Sequence, residues 1–411
     1  MESVIAHEAM CLTPKRNSKN PTQKHMQSKI DQSNNTKEMI ESSEVTPTAL
    51  PPRRLARRSF LRNLGLGAAL LAPGAALLTG SRKALAATDT NGQLTRGDVA
   101  ILQLLAAAEL IEADLWQQYN ELGGITAPTT GYTAALQILD GDQLQYIADN
   151  TDDEISHATF LNAYLASKGE SQVNLDQFKV LPPSQVSFVP QTPRLTNLKQ
   201  LTVDTSWWVR YRSTTNPDFG ATFRNAVPSL HTGLHTAIPR SDAELGDPNN
   251  PNDHVKAIAF TAGFHFGFIE QGGTSLYATL AQKVTSLEVL RILLSIGGSE
   301  IMHFQTWQDK AGNATPLTVF DPINNSTVTF VDLTTGQPET LQANLIMPEP
   351  CEFISPHLPP CAIIRPTGPG QLDARGAINS FIEDGLFMGQ SPQFLNLITS
   401  LARAADAAQR E

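Results

Sequence analysis

The stretch GGSEIMHFQTW, residues 297–307, is the most informative segment of the sequence. It places a carboxylate, Glu300, and an imidazole, His303, three residues apart among residues that are mostly small or apolar. The preceding run LRILLSIGG is largely apolar, so the segment is predicted to be the buried part of a helix. Burying an unpaired carboxylate costs several kcal/mol, and this segment supplies no cation for Glu300. The rest of the chain has to explain how the carboxylate is tolerated.

Four long helices are predicted in the chain, and GGSEIMHFQTW belongs to the last of them. Their ranges are 95–123, about 142–168, about 253–283 and about 287–311. Thr95 and Ser286 are suitable caps for the first turn of a helix. Gly169 and Gly312 are suitable residues for a helix end. Helices longer than the usual three turns favour a bundle.

Each predicted helix has one face on which apolar residues recur at three- and four-residue spacing, as in a bundle. Every one of these faces also contains a Glu, and the second and fourth add a His three residues later. The order along the chain is therefore Glu, Glu-x-x-His, Glu, Glu-x-x-His. The residues are Glu109, Glu154, His157, Glu270, Glu300 and His303, with Glu112 on the first face as an alternative to Glu109.

Four carboxylates in the middle of a bundle need a physical explanation. They are tolerated if they are protonated, paired with cations or bound to metal, and no Lys or Arg occupies these faces. Two divalent ions would balance the four negative charges, and two imidazoles would complete the coordination. Carboxylate and imidazole ligands suit iron or manganese, and also zinc. The alternative is a bundle whose acids only form hydrogen bonds, which requires several protonated acids and does not explain the order.

Four segments carry a resemblance to a known family. They are AAAELIEADLWQQY (106–119), DDEISHATFLNAY (152–164), GFIEQGGTSLY (267–277) and GGSEIMHFQTW (297–307). Together they resemble the ferritin-like superfamily of di-iron and di-manganese carboxylate proteins, in particular its exported branch of desiccation-related and stress-related proteins. The resemblance spans about residues 95–311 and implies little about residues 312–411.

The resemblance implies roles for the six residues. Glu109 and Glu270 would be terminal ligands, while Glu154 and Glu300 would bridge two ions. His157 and His303 would each bind one ion. The implied cofactor is a pair of iron ions, with two manganese ions as the alternative, and the implied partner is dioxygen or a peroxide. Oxidase, peroxidase or catalase-like activity would follow, and the competing hypothesis is a non-enzymatic stress-related protein with a structural or vestigial metal site.

The expected fold is mainly α: a ferritin-like four-helix bundle over residues 94–311, with a crossover insertion at about 171–252. Residues 312–411 are expected to form a C-terminal extension with a β-hairpin plus helices. In that extension, STVTFVDLTTGQPETLQANLIM (326–347) predicts two strands around a turn at Gly336, and residues 374–410 return to a helical pattern. The insertion and the extension argue against a large storage cage, and a homo-oligomer is left open.

Three other histidines are not assigned as ligands. His231 and His235 lie four residues apart in HTGLH, but the prolines on either side make a loop the expected structure. His265 lies off the helix face of Glu270 and is expected to be in the core or beside the ligands.

The first 86 residues are interpreted as a targeting region. Residues 1–50 contain no aromatic residue and many polar ones, so they are expected to be disordered. Residues 51–86 resemble a twin-arginine export signal, with Arg57 and Arg58 before SFLR, a weakly apolar run and the sequence ALAA. The protein is therefore expected in the periplasm or outside the cell. The alternative to an export signal is an N-terminal membrane anchor. A start at Met39 would leave an export leader of normal length.

Charge and cysteines add two expectations. The chain has a net charge of −10, and cutting after Ala86 would remove 13 Lys and Arg and 6 Asp and Glu, which leaves −17 (−10 − 7). Neither nucleic acid nor, after cleavage, a membrane is an expected partner. Cys351 and Cys361 are expected to form a local disulfide in an oxidising compartment, with free thiols as the alternative.

Overall fold

The structure, a computed structural model, describes residues 94–212, 224–333 and 373–411, together with a few positions between 348 and 362. The predicted N-terminal extension and export signal lie outside these residues. So does the predicted disulfide, because Cys351 is not among the described positions. Among the helices in the described ranges, none combines the length and the apolar character needed to cross a membrane.

The described part of the chain is mainly helical. Its helices are α1 (Arg96–Gly123), α2 (Gly131–Leu139), α3 (Gln143–Ser167), α4 (Ser206–Arg212), α5 (Pro228–Thr232), α6 (Asp253–Ala281), α7 (Leu287–Ala311), α8 (Ala374–Glu383) and α9 (Pro392–Asp406). Its strands are β1 (Leu317–Asp321), β2 (Ser326–Phe330), β3 (Pro348–Glu349) and β4 (Cys361–Ala362). Helices α1 and α3 pack as one pair and α6 and α7 as another, so the four predicted long helices form the bundle.

The start of α1 is fixed by a capping box. The backbone N–H of Asp98 donates to Thr95 Oγ1 at 3.0 Å, and the N–H of Thr95 donates to Asp98 Oδ2 at 3.4 Å. The same Asp98 carboxylate accepts the N–H groups of Thr285 and Ser286 at 2.9 and 3.1 Å. Ser286 in turn caps α7 through the N–H of Val289. Both predicted caps are present, and one carboxylate joins the starts of two bundle helices.

The end of α3 is the glycine-terminated motif that the sequence suggested. Gly169 has a φ of +79°, in the left-handed region where glycine is favoured. Its N–H donates to Ala166 O, and the next N–H, of Glu170, donates to Leu165 O, both at 3.0 Å. This pair of bonds satisfies carbonyl groups that the last helical turn would otherwise leave unpaired.

Helix α2 was not predicted from the sequence. It lies between α1 and α3 in the chain, packs mainly on α6 and begins with a capping box at Thr130. The hydroxyl of its Tyr132 donates to Ala237 O at 2.9 Å, and the Tyr132 N–H donates to Leu245 O at 2.8 Å. The helix therefore connects the bundle with the crossover.

The crossover contains short ordered pieces. They include α4, α5 and isolated bridges that pair Leu181 with Arg194 and Leu201 with His235. Trp207 of α4 packs directly on α6, because a Cβ atom at Gly267 would lie only 2.5 Å from the indole ring. The close approach of this ring explains a glycine in the middle of a long helix.

A C-terminal hairpin is present and includes a strand, β1, that was not predicted, while the strand predicted after Gly336 lies outside the described residues. Strand β2 pairs antiparallel with the preceding strand β1, from Leu317 opposite Phe330 to Asp321 opposite Ser326. The turn between them includes Asn325, whose φ of 49° lies in the left-handed region that Asn tolerates. This tight turn lets β2 pair with the strand before it. The turn predicted at Gly336 lies outside the described residues. Helices α8 and α9 occupy the predicted helical range, and α9 packs on α1.

Candidate metal centre

The four bundle helices bring the six predicted residues together near the middle of their lengths. Helix α1 contributes Glu109, α3 contributes Glu154 and His157, α6 contributes Glu270, and α7 contributes Glu300 and His303. The carboxylates of α3, α6 and α7 have no exposed surface, and Glu109 is 2% exposed. Each helix therefore presents its Glu to a common interior site.

The six residues form two overlapping groups of four. Within each group, the ligand atoms lie within 4.8 Å of one another. Position A consists of Glu109, Glu154, His157 and Glu300. Position B consists of Glu154, Glu270, Glu300 and His303. Two carboxylates are common to both positions, and each position has one further Glu and one His. This is the arrangement expected for two adjacent cations that share bridging carboxylates.

In position A, the imidazole faces three carboxylates. Nδ1 of His157 lies 3.1 Å from Glu154 Oε2 and 3.3 Å from both Glu109 Oε2 and Glu300 Oε1. Four side chains from three helices therefore converge on one small volume.

Position B repeats the pattern with the other histidine. Nδ1 of His303 lies 3.1 Å from Glu154 Oε1 and 3.3 Å from Glu270 Oε2. Glu154 thus presents one carboxylate oxygen to each position. These contacts of His303 Nδ1 are close but lack the alignment of hydrogen bonds, since Nδ1 has no hydrogen-bond partner.

Several acceptors that face the site are not satisfied by protein donors. Within the described chain, Oε2 of Glu109, Oε2 of Glu270 and both carboxylate oxygens of Glu300 are buried without a hydrogen-bond donor. A buried unsatisfied polar atom costs about 1–3 kcal/mol, and more if charged, so several of them at one point require an explanation. A pair of divalent cations would satisfy all of them. The oxygen and nitrogen donors, without sulfur, fit iron, manganese or zinc.

One carboxylate oxygen each of Glu109, Glu270 and Glu154 accepts a hydrogen bond from a protein donor. The hydroxyl group of Tyr277 donates a hydrogen bond to Glu109 Oε1. Asn150 Nδ2 donates to Glu270 Oε1 at 3.0 Å and to Glu154 Oε1 at 2.8 Å. Trp307 holds this amide in place, since its Nε1–H donates to Asn150 Oδ1 at 2.9 Å. Each terminal carboxylate therefore has one oxygen fixed by the protein and one free to face the site.

The sequence analysis did not assign these contacts of Asn150, Tyr277 and Trp307. A spacing signal was available. Asn150 lies one helical turn before Glu154, and Tyr277 lies two turns after Glu270. Asp153, which is on the exposed side of α3, was missed altogether, although its Oδ2 lies 3.1 Å from Nε2 of His303.

The charge balance of the cluster favours retention of protons or cations. Burial, and then the neighbouring charge of Glu270, raise the pKa of Glu154 to about 7. Burial, and then Glu154, raise the pKa of Glu300 well above its ordinary value. Burial lowers the pKa of His157, but the adjacent carboxylates, Glu109 first, outweigh this effect and raise it. The fold therefore concentrates negative charge that positive charge at the same place would stabilise.

Glu112, the alternative to Glu109, is buried but belongs to neither position. Its Oε2 has no donor among the described residues, and burial followed by the charge of Glu300 raises its pKa well above the ordinary value. The geometry thus favours Glu109 as the member of position A. Glu112 lies beside the site as a buried carboxyl group whose protonated form is favoured by its surroundings.

The glycines of α6 create space instead of interrupting the helix. A Cβ atom at Gly273 would lie 2.6 Å from Glu300 Oε2, and one at Gly263 would lie 2.5 Å from the side chain of Leu139. Helix α6 is continuous through both positions. These glycines therefore permit close packing and do not mark a bulge in the helix.

The remaining histidines lie outside both positions. His265 is buried and its Nδ1 is 2.8 Å from the hydroxyl of Tyr119, and burial lowers its pKa to about 3. His235 is also buried, with Nε2 at 3.0 Å from Ser229 O, whereas His231 is exposed at the end of the short helix α5. These contacts agree with the interpretation of all three as residues that are not ligands.

Comparison with known protein families gives a match to this chain. The sequence model of a family described as "Ferritin-like domain" matches residues 97–312, which is just over half of the chain and includes all six clustered residues. No match was found among curated proteins or among solved structures.

Proposed function

Since the chain belongs to the ferritin-like domain family, we propose that its six clustered residues bind two metal ions that react with dioxygen or a peroxide. Iron is the proposed metal and manganese is the alternative, because both suit carboxylate and imidazole ligands. The observation that carries the proposal is the set of buried oxygens that face the site without donors, on Glu109, Glu270 and Glu300. A bundle that used these acids only for hydrogen bonds would supply donors for them.

The side chains divide into ligands and groups that hold them. Glu154 and Glu300 belong to both positions and are proposed to bridge, whereas Glu109 and Glu270 are proposed as terminal ligands. Tyr277 and Asn150 keep the outer oxygens of these terminal carboxylates in place. The oxygens of Glu300 have no such donor among the described residues, so both would be available to bound ions. When bound, the metal pair supplies electron transfer to or from the oxidant.

Apolar side chains on one side of the site support chemistry without free access of water. Trp116 and Trp307 are stacked with ring centroids 5.3 Å apart, and Phe266 packs on both at 4.7 and 4.8 Å. All three side chains are buried. This layer excludes solvent from the interior end of the site, which strengthens electrostatic interactions there.

A structural metal site is the second candidate. The ligands come from all four bundle helices, so bound ions would cross-link the bundle even if they catalysed nothing. The two candidates differ in what happens when oxidant is added. A redox centre consumes peroxide or dioxygen in its iron or manganese form, whereas a structural site leaves the oxidant unchanged.

The first test is metal content after purification from cells without added metal. We expect about two iron or manganese ions per chain in elemental analysis, in keeping with the two positions. Glu300→Gln should abolish binding at both positions while circular dichroism still reports a folded bundle. Glu288→Gln is the matched control, since Glu288 is an exposed residue of α7 that pairs with Lys168. Equal metal content in the two variants would contradict the proposal.

Oxidant consumption by the loaded protein then separates the two candidates. We expect the iron or the manganese form to remove peroxide or dioxygen, and Glu300→Gln to remove neither. A protein that retains two ions but leaves both oxidants unchanged would be assigned a structural metal site.

Export and stress protection belong to the same proposal. The supporting features are Arg57 and Arg58 before SFLR and the small residues at ALAA. We expect conversion of both arginines to lysine to keep the uncleaved protein inside the cell. The matched control is the same change at Arg53 and Arg54, which precede the motif. Cell fractionation with mass spectrometry of the N-terminus measures the result, and normal export of the first variant would exclude this route.

A further inference from the structure

The two positions of the site differ in how their histidines are held. In position B, Nε2 of His303 lies 3.1 Å from Oδ2 of Asp153, on the side of the ring opposite to the site. When Nε2 carries the proton, this bond leaves the lone pair of Nδ1 facing Glu154 and Glu270. The carboxylate of Asp153 therefore fixes both the tautomer and the orientation of His303.

Position A lacks the equivalent contact. Within the described part of the chain, every polar contact of His157 is made by Nδ1, with Glu109, Glu154 and Glu300. No described carboxylate or carbonyl group orients this imidazole from its Nε2 side. Its side chain is 11% exposed, close to the 10% of His303, so the difference is one of hydrogen bonding and not of burial.

The carboxylates show the same asymmetry. Asn150 holds Glu270, which belongs only to position B, and also the Oε1 atom of Glu154, which is the oxygen that faces His303. Trp307 fixes the orientation of Asn150. In position A, Tyr277 holds Glu109, while the Glu154 oxygen that faces His157 bonds only to that imidazole. Three of the four ligands of position B are thus held by groups outside the site.

We propose that the two positions bind metal unequally, with position B filled first and more tightly, and that Asp153 and Asn150 are the positioning residues responsible. This inference rests on the proposed dinuclear centre. A carboxylate partner on a metal-binding histidine raises the basicity of the ligand, and loss of such a partner typically lowers metal affinity about 10–100-fold. Ligands that are already fixed also lose less conformational freedom when the ion binds. Both effects act in favour of position B.

Manganous ion is a suitable probe because it binds oxygen and nitrogen ligands and gives distinct paramagnetic resonance signals for single and paired ions. The full chain, freed of metal, is titrated with Mn²⁺, and bound ion is measured by equilibrium dialysis. We expect two classes of site that differ at least about tenfold in affinity. The first equivalent should give the signal of an isolated ion and the second should convert it to that of a coupled pair.

Asp153→Asn tests the cause of the difference. We expect it to weaken the first class about 10–100-fold and to leave the second class unchanged, so that the two affinities converge. Asp149→Asn is the matched control, because Asp149 is on the same helix and its carboxylate accepts a hydrogen bond from Gln145. The control should retain the two original affinities. Equal weakening of both classes by Asp153→Asn would overturn the assignment.

Removal of each histidine identifies the position that fills first. His157→Ala should retain one tightly bound Mn²⁺, whereas His303→Ala should retain one weakly bound ion. The reverse result, or two equal affinities in the unaltered protein, would overturn the inference and leave the dinuclear centre intact. Failure to bind either Mn²⁺ or Fe²⁺ would instead contradict the proposed function itself.

Discussion

The position of Glu300 depends on residues of neighbouring helices. Its own helix buries it, Gly273 of α6 leaves space for its carboxylate, and Glu154 of α3 shares both positions with it. The inward face of each helix and the three- and four-residue spacing along it predicted that the six residues would meet. Such a face can be read from the sequence because it is a local property of each helix. Atomic partners were not predictable in this way. Glu109 and Glu112 lie on one face three residues apart, and only the packing of α1 decides which one joins the cluster.

The space that Gly273 leaves beside Glu300 can be tested by substitution. Gly273→Ala would place a methyl group 2.6 Å from Glu300 Oε2, so the carboxylate has to move away from both positions. We expect most bound metal to be lost, as measured by elemental analysis, while the protein remains folded. The matched control is Gly272→Ala, where a Cβ atom meets nothing within 4 Å. It should keep its metal and gain about 0.5–1 kcal/mol from the better helix propensity of Ala. Similar metal loss in both variants would contradict this explanation.

Helices and strands differed in how well they could be predicted. The long helices could be predicted with their ends, because caps such as Thr95, Ser286 and Gly169 act within a few residues of the terminus. Helix α2 is short and was missed, since nine residues give little periodicity to detect. The hairpin pairs β2 with β1, which was not predicted. Its turn depends on a left-handed Asn325, which is a weaker signal than the glycine at 336.

The cap of α1 is expected to contribute to the stability of the bundle. Asp98 accepts the N–H groups of Thr285 and Ser286 as well as completing its own capping box. Asp98→Ala should therefore lower the free energy of unfolding by about 1–3 kcal/mol, since buried donors lose their acceptor. Denaturant titration measures the effect. Asp253→Ala, at the exposed start of α6, should change stability by less than about 0.5 kcal/mol. A loss no larger than that of the control would show that the link between α1 and α7 is unimportant.

At the scale of the whole molecule, the crossover and the hairpin are joined to the bundle by a cluster of charges. Arg240 bonds to Glu244 of the crossover and to Asp321 at the end of β1, with Nη1 at 2.8 Å from Asp321 Oδ2. Nε2 of His254, at the start of α6, lies 3.0 Å from Glu244 Oε1. The helix order could be predicted from sequence, but these contacts could not, because their partners are up to 81 residues apart. Irregular segments have no periodic sequence pattern, so long-range contacts between them cannot be predicted in this way.

This cluster predicts a dependence of stability on pH. Burial opposes ionisation of Glu244, but hydrogen bonds from His254 and Arg240 outweigh it and lower the pKa from 4.5 to about 2. A carboxyl group whose pKa is lower in the folded state than in the unfolded state stabilises the folded protein when it is ionised. The contribution of Glu244 to the free energy of unfolding is therefore present above pH 4.5 and is lost as pH falls towards 2. Its size is about 3 kcal/mol.

Glu244→Gln tests the pH dependence by denaturant titration across the acid range. We expect lower stability at pH 7 and a flatter decline between pH 4.5 and about 2 than in the unaltered protein. Glu383→Gln, an exposed acid at the end of α8, serves as the control and should follow the unaltered protein. An unchanged profile for Glu244→Gln would exclude this residue as a source of acid sensitivity.

The distribution of ligands among the helices has a consequence for local opening of the bundle. Helices α3 and α7 carry ligands of both positions, whereas α1 contributes only to position A and α6 only to position B. A single ion in position B would tie α3, α6 and α7 together and leave α1 free to open locally without releasing it. Amide hydrogen exchange in the middle of α1 should therefore slow only with the second ion. The second ion, in position A, would therefore hold α1 against local opening.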